Sequence, residues 1–474
     1  MRRRSPLLAV LLAALLAVPP GALAKKQGNA ERDLGRRFLL EARSQLPLTE
    51  DPALAEYVES LGRKLVDALG PQEFDYRFFA VESPILNAFA VPGGYVFLFT
   101  GLIARANTED EIAGVLGHEI GHVHAHHIVR LQQAGSIWTV ASLLGMLLAA
   151  INPVLAAGAI AAAQTAQLKY SRDFEQEADY LGLRTATDAG YDPLALTSFF
   201  KQLLVEQRVN PAGVPAYMLS HPVTEDRVAN ADSIIRSRGL KTPPGRPKAS
   251  PQFLEAKAVA AALDGPPDVV IAEYRRRAEE QPSNAERQFL LGRVYQVVNR
   301  PEPARVALES ARDLGYGPRV ERPLGAVYVT LKQPDKATTA LQSYLASKPS
   351  DGWAHLQLGK AFADQGKAED AVHEYQRALR LDGNLDEAHR LLGMSLGRKG
   401  DQAQGFYQLG TAALQRGDLE QAYSLYDRAR PLLAEGSLER SEVDATLDEL
   451  EPLVRDRARE RAAQTRRRGA ALGP

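Results

Sequence analysis

The chain opens on Arg2, Arg3 and Arg4, followed by an uncharged apolar run over residues 6–18 and a small-x-small step at Ala22-Leu23-Ala24. That layout predicts a secretory leader over residues 1–24, with the mature chain starting near Lys25. The apolar run is too short to span a bilayer comfortably. A polar helical stretch follows, roughly residues 29–69. The pattern then changes. Tyr76-Arg77-Phe78-Phe79-Ala80-Val81 alternates weakly, while Asn87-Ala88-Phe89-Ala90-Val91 and Tyr95-Val96-Phe97-Leu98-Phe99 are apolar and rich in β-branched or aromatic residues. Pro92-Gly93-Gly94 separates the last two runs, so a small sheet with a turn or bulge is expected there. Thr108-Glu109-Asp110-Glu111 opens a helix with acidic residues at the positive end of its dipole. That helix runs through His118 and His122.

Residues 131–168 carry no charged side chain, and Asn152-Pro153 splits the stretch. Two readings stand: a membrane-inserted hairpin, or a pair of buried or cleft-covering helices. Both halves are short for a span. Residues 236–252 (RSRGLKTPPGRPKASPQ) are rich in Pro, Lys and Arg and read as an exposed linker. Beyond it, Leu-Gly pairs fall at Leu291-Gly292, Leu324-Gly325, Leu358-Gly359 and Leu392-Gly393, spaced by 33, 34 and 34 residues. Three residues after each Gly stands Tyr295, Tyr328, Phe362 or Leu396, and twelve after it Ala304, Ala337, Ala371 or Gly405. This period with small residues at fixed points is the tetratricopeptide pattern of stacked helix pairs. Gly410 with Ala422 keeps the twelve-residue offset but falls half a repeat late. After Glu435 the chain is highly charged, which predicts a helix running into a frayed tail.

Composition changes this picture little. The 474 residues suggest several domains, 45% apolar and 24% charged is ordinary globular content, and a net charge of −1 gives no reason to expect nucleic acid. Cysteine is absent, which excludes disulfides, a lipidated N-terminal cysteine and thiolate metal ligands. Any metal must be held by His, Asp or Glu.

The chemistry centres on His118-Glu119-Ile120-Gly121-His122. Two histidines four apart share a helix face at about 6 Å, close enough for both imidazoles to reach one zinc ion. Glu119, beside them, suits a general base that moves a proton between water and a leaving amine. Gly117 and Gly121 are costly inside a helix unless another segment approaches closely. His124, His126 and His127 crowd the same region; His126 lies about 12 Å from His118 along the axis, too far to share an ion. These three read as solvated or supporting. A third ligand is needed, and Ser171 to Asp179 (SRDFEQEAD) offers Glu175, Glu177 and Asp179. Spacing alone does not choose between Glu175 and Glu177.

His118-Glu119-Ile120-Gly121-His122, the downstream Glu175-Gln176-Glu177-Ala178-Asp179 and the upstream Asn87-Ala88-Phe89-Ala90-Val91-Pro92-Gly93-Gly94 together resemble the M48 family of metallopeptidases, over roughly residues 30–235. With the leader and the repeats, the whole chain resembles its repeat-bearing periplasmic members. The resemblance implies one Zn2+ per chain held by His118, His122 and Glu175, with Glu119 as catalytic base and Asp179 supporting or donating a proton. It extends to Ser220-His221-Pro222 followed by Arg227. In such members a histidine at the position of His221 can approach the metal, so His221 stands as an additional ligand, latch, oxyanion donor or structural residue, with Arg227 pinning its loop. Asn87, Ala88 and Phe89 are expected to hold substrate as an added β-strand.

The expected fold is mainly α with a small β-sheet: a zincin-type metalloprotease domain (25–235), the linker (236–252), an α-solenoid of tetratricopeptide repeats (253–435) and a charged C-terminal helix and tail (436–474). The expected function is a zinc-dependent endopeptidase of the Gram-negative periplasm in quality control and assembly of outer-membrane proteins. Its substrates would be unfolded or stalled outer-membrane proteins. The repeats would dock on the assembly machinery, and peripheral contact with a membrane is compatible. Two other readings remain: a repeat-based adaptor or chaperone with a latent protease domain, and a membrane-embedded protease.

Overall fold

The computed structural model describes residues 20–133, 172–209, 214–242, 244 and 249–471. The leader expected at 1–24 lies largely outside these residues, as does nearly all of the uncharged 131–168 stretch. Among the described residues no helix is long and apolar enough to cross a membrane. The chain divides into two compact units, residues 1–39 with 47–260 and residues 40–46 with 261–474.

In the first unit, α1 (Pro20–Gln45, as far as Leu39) and α2 (Pro52–Ala68) precede a three-stranded sheet of β1 (Arg77–Val81), β2 (Ala88–Val91) and β3 (Tyr95–Phe99). The strand order is β1-β3-β2, with β1 parallel and β2 antiparallel to β3. Phe79, Phe97 and Phe89 stack across the sheet at 5.1 and 4.7 Å, and Phe38 of α1 meets Phe97 edge-on at 5.7 Å. The Pro-Gly-Gly turn forms between β2 and β3, with Gly93 and Gly94 at φ 84° and 92°, a conformation that glycine adopts without steric cost.

Behind the sheet lie α3 (Thr100–Arg105) and α4 (Glu109–His124), then α5 (His127–Gln133), α6 (Arg172–Asp188), α7 (Leu194–Val209), α8 (Ala216–Ser220) and α9 (Glu225–Arg238). Thr108 caps α4 by accepting from the Glu111 amide. Almost every residue of α4 is buried, because it packs on the sheet, α2, α6 and α7 together. The first unit continues beyond the expected linker into α10 (Pro251–Asp264) as far as Ala260. Phe253, Ala256 and Val259 are buried, Phe253 meets Tyr57 at 6.2 Å, and Lys257 Nζ donates to the Ala106 carbonyl.

The second unit is a run of antiparallel helices: α11 (Pro267–Glu280), α12 (Ala285–Val297), α13 (Pro301–Asp313), α14 (Glu321–Thr330), α15 (Pro334–Ser347), α16 (Gly352–Asp364), α17 (Ala368–Leu381), α18 (Asp386–Arg398), α19 (Gln402–Gln415), α20 (Leu419–Ala429) and α21 (Leu438–Ala471). Each Leu-Gly glycine marks the close approach of a pair. A Cβ on Gly292, Gly325 or Gly359 would lie 2.6 Å from Leu308, Leu341 or Tyr375. The half-repeat shift has a physical cause. Helix α19 turns Gly405 toward Gly393 of α18 and Gly410 toward Tyr426 of α20, so one helix closes one pair and opens the next. The charged C-terminal segment is more than a tail: Val443, Leu447 and Leu450 of α21 are buried with Leu419, Ala422 and Tyr426, covering the last apolar face.

Candidate active site

The site is built where α4 and α6 nearly touch. A Cβ on Gly117 would stand 2.9 Å from the Gly182 carbonyl oxygen, and one on Gly182 would stand 2.7 Å from the His118 amide nitrogen. Gly121 faces Ala178 in the same way, at 3.1 Å from its carbonyl oxygen. The two helices can therefore approach until side chains one turn further on meet. His118 and His122 from α4 face Glu175 and Asp179 from α6, all of them buried. Helix α8 and the residues after it bring His221 to the same point.

His118 Nε2 and His122 Nε2 are 3.0 Å apart, and His221 Nδ1 lies 3.3 Å from His118 Nε2 and 3.0 Å from Glu175 Oε1. Glu175 carboxylate oxygens sit 3.5 Å from the Nε2 atoms of His118 and His122. One ligand atom from each of His118, His122, Glu175 and His221 falls within a mutual 4.8 Å. This donor set fits a metal ion. Imidazole nitrogens turned toward one another inside a protein have no mutual attraction when each presents a lone pair, and a shared cation removes that conflict. The charge balance agrees: the buried carboxylates of Glu119, Glu175 and Asp179 meet one buried guanidinium, Arg227.

Each ligand candidate is held from behind. Asp179 Oδ1 lies 2.9 Å from His118 Nδ1, on the ring edge opposite the cluster. Arg227 donates to Asp179 through Nε and Nη2 at 2.9 and 2.6 Å, pairs with Glu175 through Nη1 at 2.7 Å and donates to the Pro222 carbonyl at 3.1 Å. Its guanidinium lies 4.7 Å over Phe200. Asp179, expected to support the site or to donate a proton, thus has its oxygens engaged by Arg227 and beside His118 Nδ1. Glu177, the alternative to Glu175, points elsewhere: it pairs with Arg130 at 2.8 Å and with His127 Nε2 at 3.1 Å.

The electrostatics follow from burial and these pairings. Burial pushes the Glu119 carboxyl up, and His221 and His118 offset only part of that. Its Oε1 has no hydrogen-bond partner among the described residues and lies 3.5 Å from His221 Nε2. For Glu175, burial opposes the charge, but His221, His122 and His118 outweigh it and hold the group well below the usual carboxylate range. Asp179 is likewise held low, against burial, by Arg227 and His118. Burial holds His122 well below the ordinary imidazole value despite Glu175. His221 is raised, because Glu119 and Glu175 overcome its burial.

Several sequence expectations need correction. The stretch before His221, where a loop pinned by Arg227 was expected, contains α8, and its Tyr217 is fully buried, stacked on the His221 ring at 4.9 Å, with its amide donating to the Leu86 carbonyl. Phe89, expected to contact substrate, belongs to the core through Phe97 and Phe38. β2 is an edge strand by pairing, but Asn87, Ala88 and Phe89 are all buried. His124 is exposed beside Gln72, and His126 pairs with Glu31 at 2.8 Å. Of the three histidines read as solvated or supporting, His127 is fully buried and meets His122. The signal for that was a turn: α4 ends at His124 and His126 adopts φ 53°, which folds His127 back against the helix it has just left.

The profile of peptidase family M48 matches residues 52–235, and a tetratricopeptide-repeat profile matches residues 359–400. A putative beta-barrel assembly-enhancing protease of Vibrio cholerae is 30% identical over 460 residues, covering 88% of each chain. The beta-barrel assembly-enhancing protease of Escherichia coli K12 is 27% identical over 465 residues, covering 89% of this chain and 88% of its own. The mitochondrial metalloendopeptidase OMA1 of Arabidopsis thaliana is 32% identical over 152 residues, 32% of this chain and 30% of its own. The M48 match spans both helices that meet at Gly117 and Gly182, and the similarity to the first two relatives runs on through the repeats, so this chain belongs to peptidase family M48, in the branch that carries tetratricopeptide repeats.

Proposed function

We propose that the chain is a zinc endopeptidase of the Gram-negative periplasm that acts on unfolded or stalled outer-membrane β-barrel precursors and rests in a latent state closed by His221. The observation that carries this reading is the four-membered cluster: His118, His122 and Glu175 complete a three-ligand site, and His221 stands at the fourth position beside the general base. Zinc bound there supplies Lewis acidity to a peptide carbonyl and to water. Glu119 accepts a proton from the attacking water and delivers it to the departing amine; its raised pKa suits both halves of that transfer. Asp179 and Arg227 keep the His118 imidazole turned toward the cluster. His221 occupies the space in which a substrate carbonyl must sit, so its segment has to withdraw before turnover. Covering residues must also withdraw before an extended substrate can add to β2, a binding mode that uses backbone hydrogen bonds and demands no sequence. The outer-membrane role is supported by the names of the relatives that align along most of the chain, and the repeats supply the surface for docking on an assembly partner.

The test is His221→Ala in the full chain, with zinc content and cleavage of an unfolded outer-membrane protein measured together. Latency predicts about one zinc per chain retained and faster cleavage, including self-cleavage. A fall in turnover of about 10²–10³ would instead make His221 an oxyanion donor. Zinc and rate both unchanged would leave it a structural residue.

A further inference from the structure

His118 and His122 are both oriented from behind, and in the same manner. Behind His118 stands Asp179, a carboxylate clamped by Arg227. Behind His122 stands His127, its Nδ1 2.8 Å from His122 Nδ1. His127 Nε2 lies 3.1 Å from Glu177 Oε2, and that same oxygen accepts from Arg130 Nη1 at 2.8 Å. Each ligand histidine therefore ends on a carboxylate held by an arginine, directly in one case and through a second imidazole in the other.

Proton positions follow from the chemistry. An imidazole that offers Nε2 as a lone pair to the cluster carries its proton on Nδ1. His122 Nδ1 thus donates, and His127 Nδ1 must accept. His127 then carries its own proton on Nε2 and donates it to Glu177. The ring of His127 is fixed for this task. It stacks on Phe174 at 4.4 Å with an interplanar angle of 11°, and the Arg130 guanidinium lies 4.4 Å from the same phenyl ring. His127 is fully buried, whereas the Glu177 side chain is 43% exposed. A buried neutral acceptor is reached through a solvated carboxylate.

We propose that His127 is a positioning residue for the metal site: it fixes the tautomer and ring orientation of His122, and Glu177, held by Arg130, fixes the tautomer of His127. This rests on the metal-site reading of the cluster. It also accounts for the second acidic residue of Glu175-Gln176-Glu177, which is two positions from the ligand candidate and faces away from it.

The test is zinc affinity of the full chain, measured by competition with a chelator, for two substitutions that separate packing from hydrogen bonding. His127→Phe keeps an aromatic ring to stack on Phe174 but has no acceptor. His127→Asn loses the ring but places an amide oxygen near the former Nδ1. Positioning predicts that His127→Phe weakens zinc by about 10–100-fold, that His127→Asn recovers most of that loss, and that Glu177→Ala weakens zinc by a smaller factor. Wild-type affinity in His127→Phe, or a loss in His127→Asn as large as or larger than that in His127→Phe, overturns the proposal. The wild-type zinc protein gives a second readout that needs no variant: nitrogen-15 imidazole spectra should show His122 protonated on Nδ1 and His127 on Nε2, and the opposite tautomer for His127 overturns the proposal as well. Failure of the underlying reading is separate: there, wild type itself takes up no zinc, or keeps it after His118→Ala and His122→Ala together.

Discussion

In the repeat unit, His355 and His389 stand at equivalent positions of successive pairs, and both are buried. His355 Nδ1 meets Glu374 and its Nε2 meets the Pro349 carbonyl; His389 Nδ1 meets Gln408 and its Nε2 meets the Gly383 carbonyl. Every ring nitrogen there has its own partner, and the histidines tie a helix to its neighbour and to the turn before it. In the catalytic unit, His118, His122 and His221 are just as buried, but each turns a nitrogen toward the others. Burial of a titratable group is therefore no mark of a site, since both units do it. The mark is convergence of donors that cannot satisfy one another. The same contrast holds for charge. In the repeats Asp351 is paired with Arg322 at 2.8 Å, whereas Arg227 serves two carboxylates at once and leaves Glu119 with its burial largely uncompensated.

The largest expected effect tests convergence directly. Glu119→Gln keeps the shape of the side chain and removes the base, so peptidase activity should fall by about 10²–10⁴ or more, with zinc content and thermal stability close to wild type. Activity near wild type would move the base elsewhere. Next comes Arg227→Met, which leaves Asp179 and Glu175 without their shared cation. Breaking a buried pair from one side costs about 3–5 kcal/mol, read as a fall in unfolding free energy. A loss under about 1 kcal/mol would show that the two carboxylates are already compensated by the histidines.

A smaller effect compares one substitution in both units. An alanine methyl at position 182 would meet backbone, His118 N at 2.7 Å and Gly117 C at 2.9 Å, whereas at position 325 it would meet the Leu341 side chain at 2.6 Å. Backbone cannot rotate aside and a leucine can. Gly182→Ala should cost about 1–3 kcal/mol by overpacking and weaken zinc by displacing His118. Gly325→Ala should stay within about 1 kcal/mol, since improved helix propensity offsets the repacking. Equal costs at the two positions, by thermal or denaturant unfolding, would remove the distinction between a site-forming and a merely close helix contact.

What was legible in the sequence is what local periodicity carries. The four-residue spacing of His118 and His122, the Thr108 cap and the repeat of Leu-Gly pairs are all set within one or two turns of chain. Gly117 and Gly121 announced a close approach but not by what; the answer, Gly182 and Ala178, lies some sixty residues on. The choice between Glu175 and Glu177 was hidden for the same reason. Two residues apart on a helix, they face different ways, and only the rotation of α6 set by the Gly117–Gly182 contact decides which meets the histidines. The role of His127 depends on one left-handed residue, His126, that no propensity foretells. The strand over Ala88–Val91 was legible, but its edge position and what packs around it are tertiary facts.

The smallest effect concerns a buried pair that serves structure alone. The Glu374 carboxyl is held below the usual range: burial opposes its charge, but the hydrogen bond and charge of His355, with His373 further off, outweigh that. The sign is fixed by linkage. A carboxylate whose pKa is depressed in the folded state stabilises the fold above its unfolded value, about 4.3, and that contribution fades as pH falls through the lower folded value. Amide protection of α16 and α17 should therefore weaken as pH drops from about 5 to about 3, as the carboxylate takes up its proton. Glu374→Gln should cost on the order of 1 kcal/mol at neutral pH and flatten that acid dependence, leaving zinc content and peptidase rate untouched, because the repeat histidine has no part in the catalytic cluster. Hydrogen exchange of the full chain reads both effects. An unchanged acid slope in the variant would assign the acid sensitivity of these helices to other carboxylates, and a changed peptidase rate would mean that the repeat unit feeds into catalysis after all.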